Sequence, residues 1–159
     1  MASNRVTVQV AEAATPNETV DVRSRLFERV AIEDMIATYL YELDHGGTAK
    51  LADFFTEDAA FDIRGQTLVG RKAISGYYAA RSTSRWTRHV STILHIVFDD
   101  ADHAHSVYTL TYYAVDAGAK LSLVPVALAD YNERLVRGSD GKWRFSYRMA
   151  TPALGKAGE

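Results

Sequence analysis

The spacing of apolar positions changes once along the chain, near Arg85. From Ser24 onward, Leu26, Phe27, Val30, Met35, Ile36, Tyr39, Leu40 and Leu43 recur at close to a helical period. Gly46-Gly47 closes that helix. A short helix is predicted over residues 48–55, with Leu51, Phe54 and Phe55 turned inward. Residues 61–63 and 68–69 read as two short strands around a turn at Gly65, and residues 72–81 as a helix entered after Gly70. Beyond Arg85 the period becomes two, with Val, Ile, Thr and Tyr enriched. Strands are predicted over residues 87–98, 103–115, 124–136 and 143–149, separated by turns at 99–102, Gly118 and 139–141. Pro125 marks an edge or a bulge at the start of the third.

Helices first and a long meander second give an α+β fold. The expected architecture is a cone-shaped α+β barrel, a curved antiparallel sheet wrapped around N-terminal helices. One end stays open, a natural place for a small-molecule pocket. The folded domain spans residues 23–151. Residues 1–22 are polar, small and interrupted by Pro16, so they read as a flexible tail or a strap onto a neighbouring subunit. Residues 152–159 read as a second flexible tail or a lid.

A chain of 159 residues suits one domain with one core. The 47% hydrophobic and 24% charged content is ordinary for a globular protein, so neither disorder nor a membrane domain is indicated. A net charge of -2, with dispersed basic residues, argues against nucleic acid or an anionic membrane as partner. The absence of cysteine excludes disulfides and thiolate catalysis and fits a reducing cytoplasm. No apolar run approaches the roughly 18 residues that span a bilayer, and no secretory core opens the chain. Cytoplasmic localisation is therefore expected. Glycine-rich phosphate loops, a GxSxG nucleophile elbow and HExxH are all absent, so neither cofactor nor metal is expected. His95, His103 and His105 flank the acidic turn 99–102 and read as surface residues rather than ligands.

Four residues can carry chemistry. His89, near the start of a strand, has the side chain whose ordinary pKa suits a base at neutral pH; the other reading is a structural histidine capping a strand end. Asp44 ends a helix, where its charge opposes the helix dipole, so it needs a partner: His89, or else solvent, His45 or Lys50. Tyr39 can donate to a carbonyl or enolate oxygen, or be ordinary core within the apolar stripe. Five residues subtend about 140° of helix, so Tyr39 and Asp44 share a face poorly. Arg148 can hold an oxyanion with paired hydrogen bonds. Strand alternation sets it opposite Trp143, Phe145 and Tyr147, hence on the outer face unless a bulge re-aims it. Trp86, Tyr108, Tyr112, Tyr113 and Tyr131 either line the cavity or pack as core. Of these, Trp86, Tyr108, Tyr112 and Tyr131 are the candidate substrate-binding set.

Several stretches occur in an order that resembles the SnoaL-like branch of the nuclear-transport-factor-2-like superfamily, over about residues 25–150. They are AIEDMIATYLYELDHG, LADFFTEDAAFDI, VGRKAISGYY, RHVSTILHIVF and DYNERLVRGSDGKWRFSYRM. The resemblance implies the cone-shaped fold already expected. It aligns Asp44 and His89 with the Asp–His dyad of dehydratase and dehydrochlorinase members, and Arg148 with the arginine after their final Trp strand. Tyr39 aligns with the tyrosine of the bile-acid dehydratase. That enzyme has a further Asp where this chain has aromatics around Tyr112, which implies a different substrate or leaving group.

The expectation is therefore a cofactor-independent lyase of the dehydratase type. His89 takes a proton next to a carbonyl of a small hydrophobic, polycyclic or polyketide-like substrate. Asp44 orients His89, while Tyr39 and Arg148 stabilise oxygen charge. The alternatives are an isomerase or cyclase using the same site, and a non-catalytic ligand-binding or oxygenase β-subunit-like domain. A homo-oligomer, dimer or trimer, is implied by the resembling families.

Overall fold

A computed structural model describes residues 22–46, 48–120 and 122–155. Most of the segment read as an N-terminal tail, residues 1–21, lies outside them, as do residues 156–159. The elements are α1 (Val22–His45), a 3-10 helix (Thr48–Phe54), β1 (Phe55–Ile63), β2 (Gln66–Val69), α2 (Arg71–Ala79), β3 (Arg85–Phe98), β4 (His103–Asp116), β5 (Ala127–Arg137) and β6 (Trp143–Gly155). The strands form one sheet in the order β2-β1-β6-β5-β4-β3. This is the α+β cone expected from the sequence, a curved sheet left unclosed around helices. No described helix is long and apolar enough to cross a membrane.

Helix α1 obeys its apolar period over its second half only. Ile32, Ile36, Tyr39, Leu40 and Leu43 are buried, whereas Leu26, Phe27 and Val30 are exposed. The first turns touch the sheet through Arg25, Glu28 and Arg29, and among the described residues nothing buries Leu26, Phe27 and Val30. Gly46 takes a positive φ of 96°, the left-handed conformation that ends helices and that only glycine adopts freely.

Three differences from the sequence reading matter. The sheet is mixed rather than wholly antiparallel, because β1 pairs parallel to β6. Strand β6 continues to Gly155, with Leu154 against Leu128 and Gly155 against Ala127, so residues 152–155 are strand and not tail. β5 begins at Ala127, after Pro125, which lacks the N–H that a ladder needs.

Two of the register shifts in the sheet bear on the site. Between Thr92 and His95, two residues of β3 face one of β4. Between Arg134 and Leu135, β6 carries the extra residue Ser146. Such bulges bend a strand and re-aim the side chains that follow. Phe145 and Arg148 consequently both point inward, although strict alternation would separate them.

Candidate active site

The C-terminal turn of α1 meets β3, one of the two edge strands of the sheet. There Asp44 accepts a hydrogen bond from the His89 ring Nδ1 at 2.6 Å, a second from the His89 backbone N–H at 2.7 Å, and a third from Thr87 Oγ1 at 2.8 Å. Thr87 and His89 lie two apart on one strand face, so a single carboxylate reaches both. A carboxylate partner makes Nδ1 the donor and leaves Nε2 unprotonated. Among the described residues none hydrogen-bonds to Nε2. The ring lies against Tyr112, with centroids 4.8 Å apart.

Burial alone would raise the Asp44 pKa, but hydrogen bonds from His89 and Thr87 overcome it and hold the carboxyl below its ordinary value. For His89, burial prevails over the raising pull of Asp44, and Arg81 and Arg148 add to the lowering. The imidazole therefore has a pKa below 6.5, and at neutral pH it is an uncharged base beside a carboxylate. The carboxylate fixes the tautomer, but it does not raise the net basicity of His89 above the ordinary level.

A second group of polar side chains lies deeper in the cone. Arg148 is 1% exposed. Its Nη2 donates to Tyr108 Oη at 2.8 Å, and its Nη1 lies 3.2 Å from Glu133 Oε1. Its guanidinium sits over the rings of Tyr39, Tyr131 and Phe145, at 4.4, 4.6 and 4.7 Å from their centroids. Arg148 Nε and Nη1 have no well-aligned hydrogen-bond acceptor among the described residues. Glu133 also accepts from Ser106 Oγ at 2.6 Å and from Tyr108 Oη at 2.9 Å. Tyr39 and Tyr78 share a hydrogen bond between their hydroxyls. Burial raises the pKa of both phenols and pushes Tyr131 up to about 12, so these tyrosines are protonated donors at neutral pH.

All four candidate catalytic residues thus face the interior, but in two groups. Asp44 and His89 form one, at the β3 wall. Tyr39 and Arg148 form the other, among β4, β5, β6 and α2. The 140° separation on α1 is real: Tyr39 points to Phe54, Phe55, Tyr78 and Phe145, and Asp44 points to β3. Arg148 contributes to the lowering of the His89 pKa.

Of the aromatic candidates, Tyr108 and Tyr131 stack on each other beside Arg148, and Tyr112 supports His89. Trp86 is 63% exposed, on the face of β3 opposite Thr87, so it stands at a rim rather than inside. That rim belongs to a cleft of about 390 Å³ lined by Asp44, Arg81, Trp86, Thr87 and Arg88, among others. Outside the cone, His103 pairs with Asp100 and His105 with Asp99, both on the surface.

Glu133, Tyr78 and Thr87 were not selected from the sequence, yet each carries a signal. Glu133 stands between Tyr131 and Leu135 at strand alternation, a carboxylate on an apolar face. Tyr78 follows Ile74 by one helical turn. Thr87 precedes His89 by two.

The chain belongs to the SnoaL-like domain family, which it matches over residues 24–149. Among solved structures it is similar to a protein from Novosphingobium aromaticivorans DSM 12444 provisionally described as a scytalone dehydratase. That match has a TM-score of 0.74 and 24% identity, over 87% of this chain and 92% of the other. A Mycobacterium tuberculosis protein of unknown function matches with a TM-score of 0.73 and 26% identity, over 83% and 75% of the two chains. A hexachlorocyclohexane dehydrochlorinase, LinA type 2, matches with a TM-score of 0.69 and 22% identity, over 84% and 90%. No curated protein matches the sequence.

Proposed function

We propose, from membership of the SnoaL-like family and from the geometry of Asp44 and His89, that the chain is a cofactor-independent lyase of the dehydratase type. The observation that carries this reading is the three-point grip of Asp44 on His89 and Thr87, which leaves Nε2 as an unprotonated base with no partner among the described residues. The folds it resembles include a protein provisionally described as a dehydratase and a dehydrochlorinase, both names that imply elimination.

In the proposed reaction, His89 Nε2 takes a proton from the carbon next to a carbonyl. The bonding electrons move to the carbonyl oxygen and give an enolate. The enolate then re-forms the carbonyl and expels hydroxide from the β-carbon, and the His89 imidazolium returns the proton so that water leaves. A hydrogen-bonded Tyr39–Tyr78 pair uses one hydroxyl proton internally and keeps the other for a ligand oxygen. Arg148 offers Nε and Nη1 to the same developing charge. The aromatic surroundings suit a small hydrophobic substrate, with polycyclic or polyketide-like β-hydroxy ketones the first class to try. Isomerisation or ring closure would begin with the same enolate. Incubation with a panel of β-hydroxy aryl ketones, analysed by mass spectrometry, separates these outcomes. Loss of 18 mass units, one water, marks dehydration, and unchanged mass with a new product marks isomerisation.

A further inference from the structure

The chain is net acidic, yet the cleft at the start of β3 gathers Arg81, Arg85 and Arg88. Arg85 is engaged by Asp116 at 3.6 Å. Among the described residues, the Arg81 guanidinium donates only to the hydroxyl of Thr87, at 3.4 Å, and that of Arg88 only to the neighbouring carbonyl of Thr87, at 2.7 Å. Among the described residues no carboxylate lies within ion-pair distance of either. Asp44, the acid of this cleft, is spent on His89 and Thr87. His45, at the same cleft, stacks on Tyr41 and bonds its carbonyl through Nδ1. Two guanidinium groups therefore face one cleft without a carboxylate paired to either among the described residues, and guanidinium groups bind planar or tetrahedral oxyanions through paired hydrogen bonds.

One exposed aromatic side chain adjoins the two arginines. Trp86 borders the cleft on the same strand end, exposed where a buried aromatic would be expected. An exposed indole beside two arginines that no carboxylate pairs among the described residues offers a flat platform next to an anion seat. The cleft lies directly outside Asp44, so a ligand seated there extends toward the dyad.

We propose that this cleft is a binding subsite for an anionic oxygen group, a carboxylate or a phosphate, carried on an aromatic or other apolar body. Arg81 and Arg88 hold the anion and Trp86 stacks on the adjoining body. This deepens the dehydratase reading by giving its substrate a charged end that stays at the mouth while the uncharged end reaches His89. It rests on that reading only for the identity of the reacting end. The anion seat stands on Arg81, Arg88 and Trp86 alone.

Trp86 provides the test, because Trp143 is buried and an aromatic nitro compound quenches an indole on contact. The full chain is titrated with para-nitrobenzoate, para-nitrophenyl phosphate and the neutral para-nitrobenzamide, following tryptophan fluorescence. The expected result is a preference of about tenfold or more for at least one anion over the amide, as two charge-assisted contacts imply. Whichever anion binds more tightly identifies the group. The preference should be lost in Arg81→Gln/Arg88→Gln and reduced in Arg88→Gln alone, whose exposed side chain makes it safe for folding. It should persist in His89→Gln. Equal binding of anion and amide overturns the proposal, as does a preference that survives in the double variant or disappears in His89→Gln. If the subsite behaves as expected while His89→Gln still turns over substrate, the dehydratase reading fails and the subsite remains.

Discussion

Asp44 holds His89 by two atoms at once, the ring Nδ1 at 2.6 Å and the backbone N–H at 2.7 Å. A carboxylate bonded to the ring alone would orient the imidazole. One bonded to the backbone as well locks the strand end to the helix end, so the base cannot drift relative to α1. Thr87 completes the grip.

Replacing the base should silence the site without unfolding it. His89→Gln retains an amide that can still donate to Asp44 but has no basic nitrogen. Turnover of any substrate found should fall by about a hundredfold to ten-thousandfold, the usual contribution of a general base. The thermal midpoint should shift little. Initial rates and a melting curve on the same preparation check this.

Replacing the carboxylate should cost both stability and tautomer. In Asp44→Asn the donors from Thr87 and His89 compete for one amide oxygen. Stability should drop by about 1–3 kcal/mol, as for a buried donor left unpaired. The His89 pKa should fall further, because the influence that raises it is gone. Urea denaturation and a histidine titration measure the two effects.

Glu133 and Arg148 should prove interdependent. Both are fully buried and share Tyr108. Glu133→Gln or Arg148→Met alone leaves one uncompensated buried charge, and each should destabilise by about 3–5 kcal/mol. The double variant should lose clearly less than the sum. Additive losses in a double-mutant cycle would mean that the pair acts as two separate groups.

Stability should depend on pH through His89 in a defined sense. Its pKa is lower folded than unfolded, so the unfolded chain takes up the proton more readily. The contribution is full above the ordinary value near 6.5 and is lost as pH falls from there through the folded value. Asp44, also depressed, adds a further loss at more acid pH, below its ordinary 3.8. Denaturation curves of wild type and His89→Gln should diverge below about pH 6.5. The variant should show the shallower decline.

Most elements were legible because their periods were clean. The switch near Arg85 separated helices from strands, and Gly46 stopped α1 where a left-handed residue was needed. The dyad was legible through family resemblance, with Asp44 at an electrostatically poor helix end adding a physical hint. The direction of Arg148 was not legible, because it depends on Ser146 being the extra residue of a bulge, and a bulge is set by pairing with β5 rather than by local composition. Glu133 could have been found by alternation alone. The exposure of Leu26, Phe27 and Val30 could not, since the first turns meet the sheet through Arg25, Glu28 and Arg29 while the apolar positions stay exposed. Trp86 looked like cavity wall, but its odd-even position relative to Thr87 and His89 places it outside.

The central claim is that His89 is a neutral base whose Nδ1 proton is held by Asp44. It is tested most directly by nitrogen-15 NMR of the imidazole across a pH titration, on the unliganded protein. The account predicts a protonated Nδ1, an unprotonated Nε2 at neutral pH and a pKa below 6.5. An Nε2–H tautomer, or a ring that is still charged above pH 6.5, would contradict it.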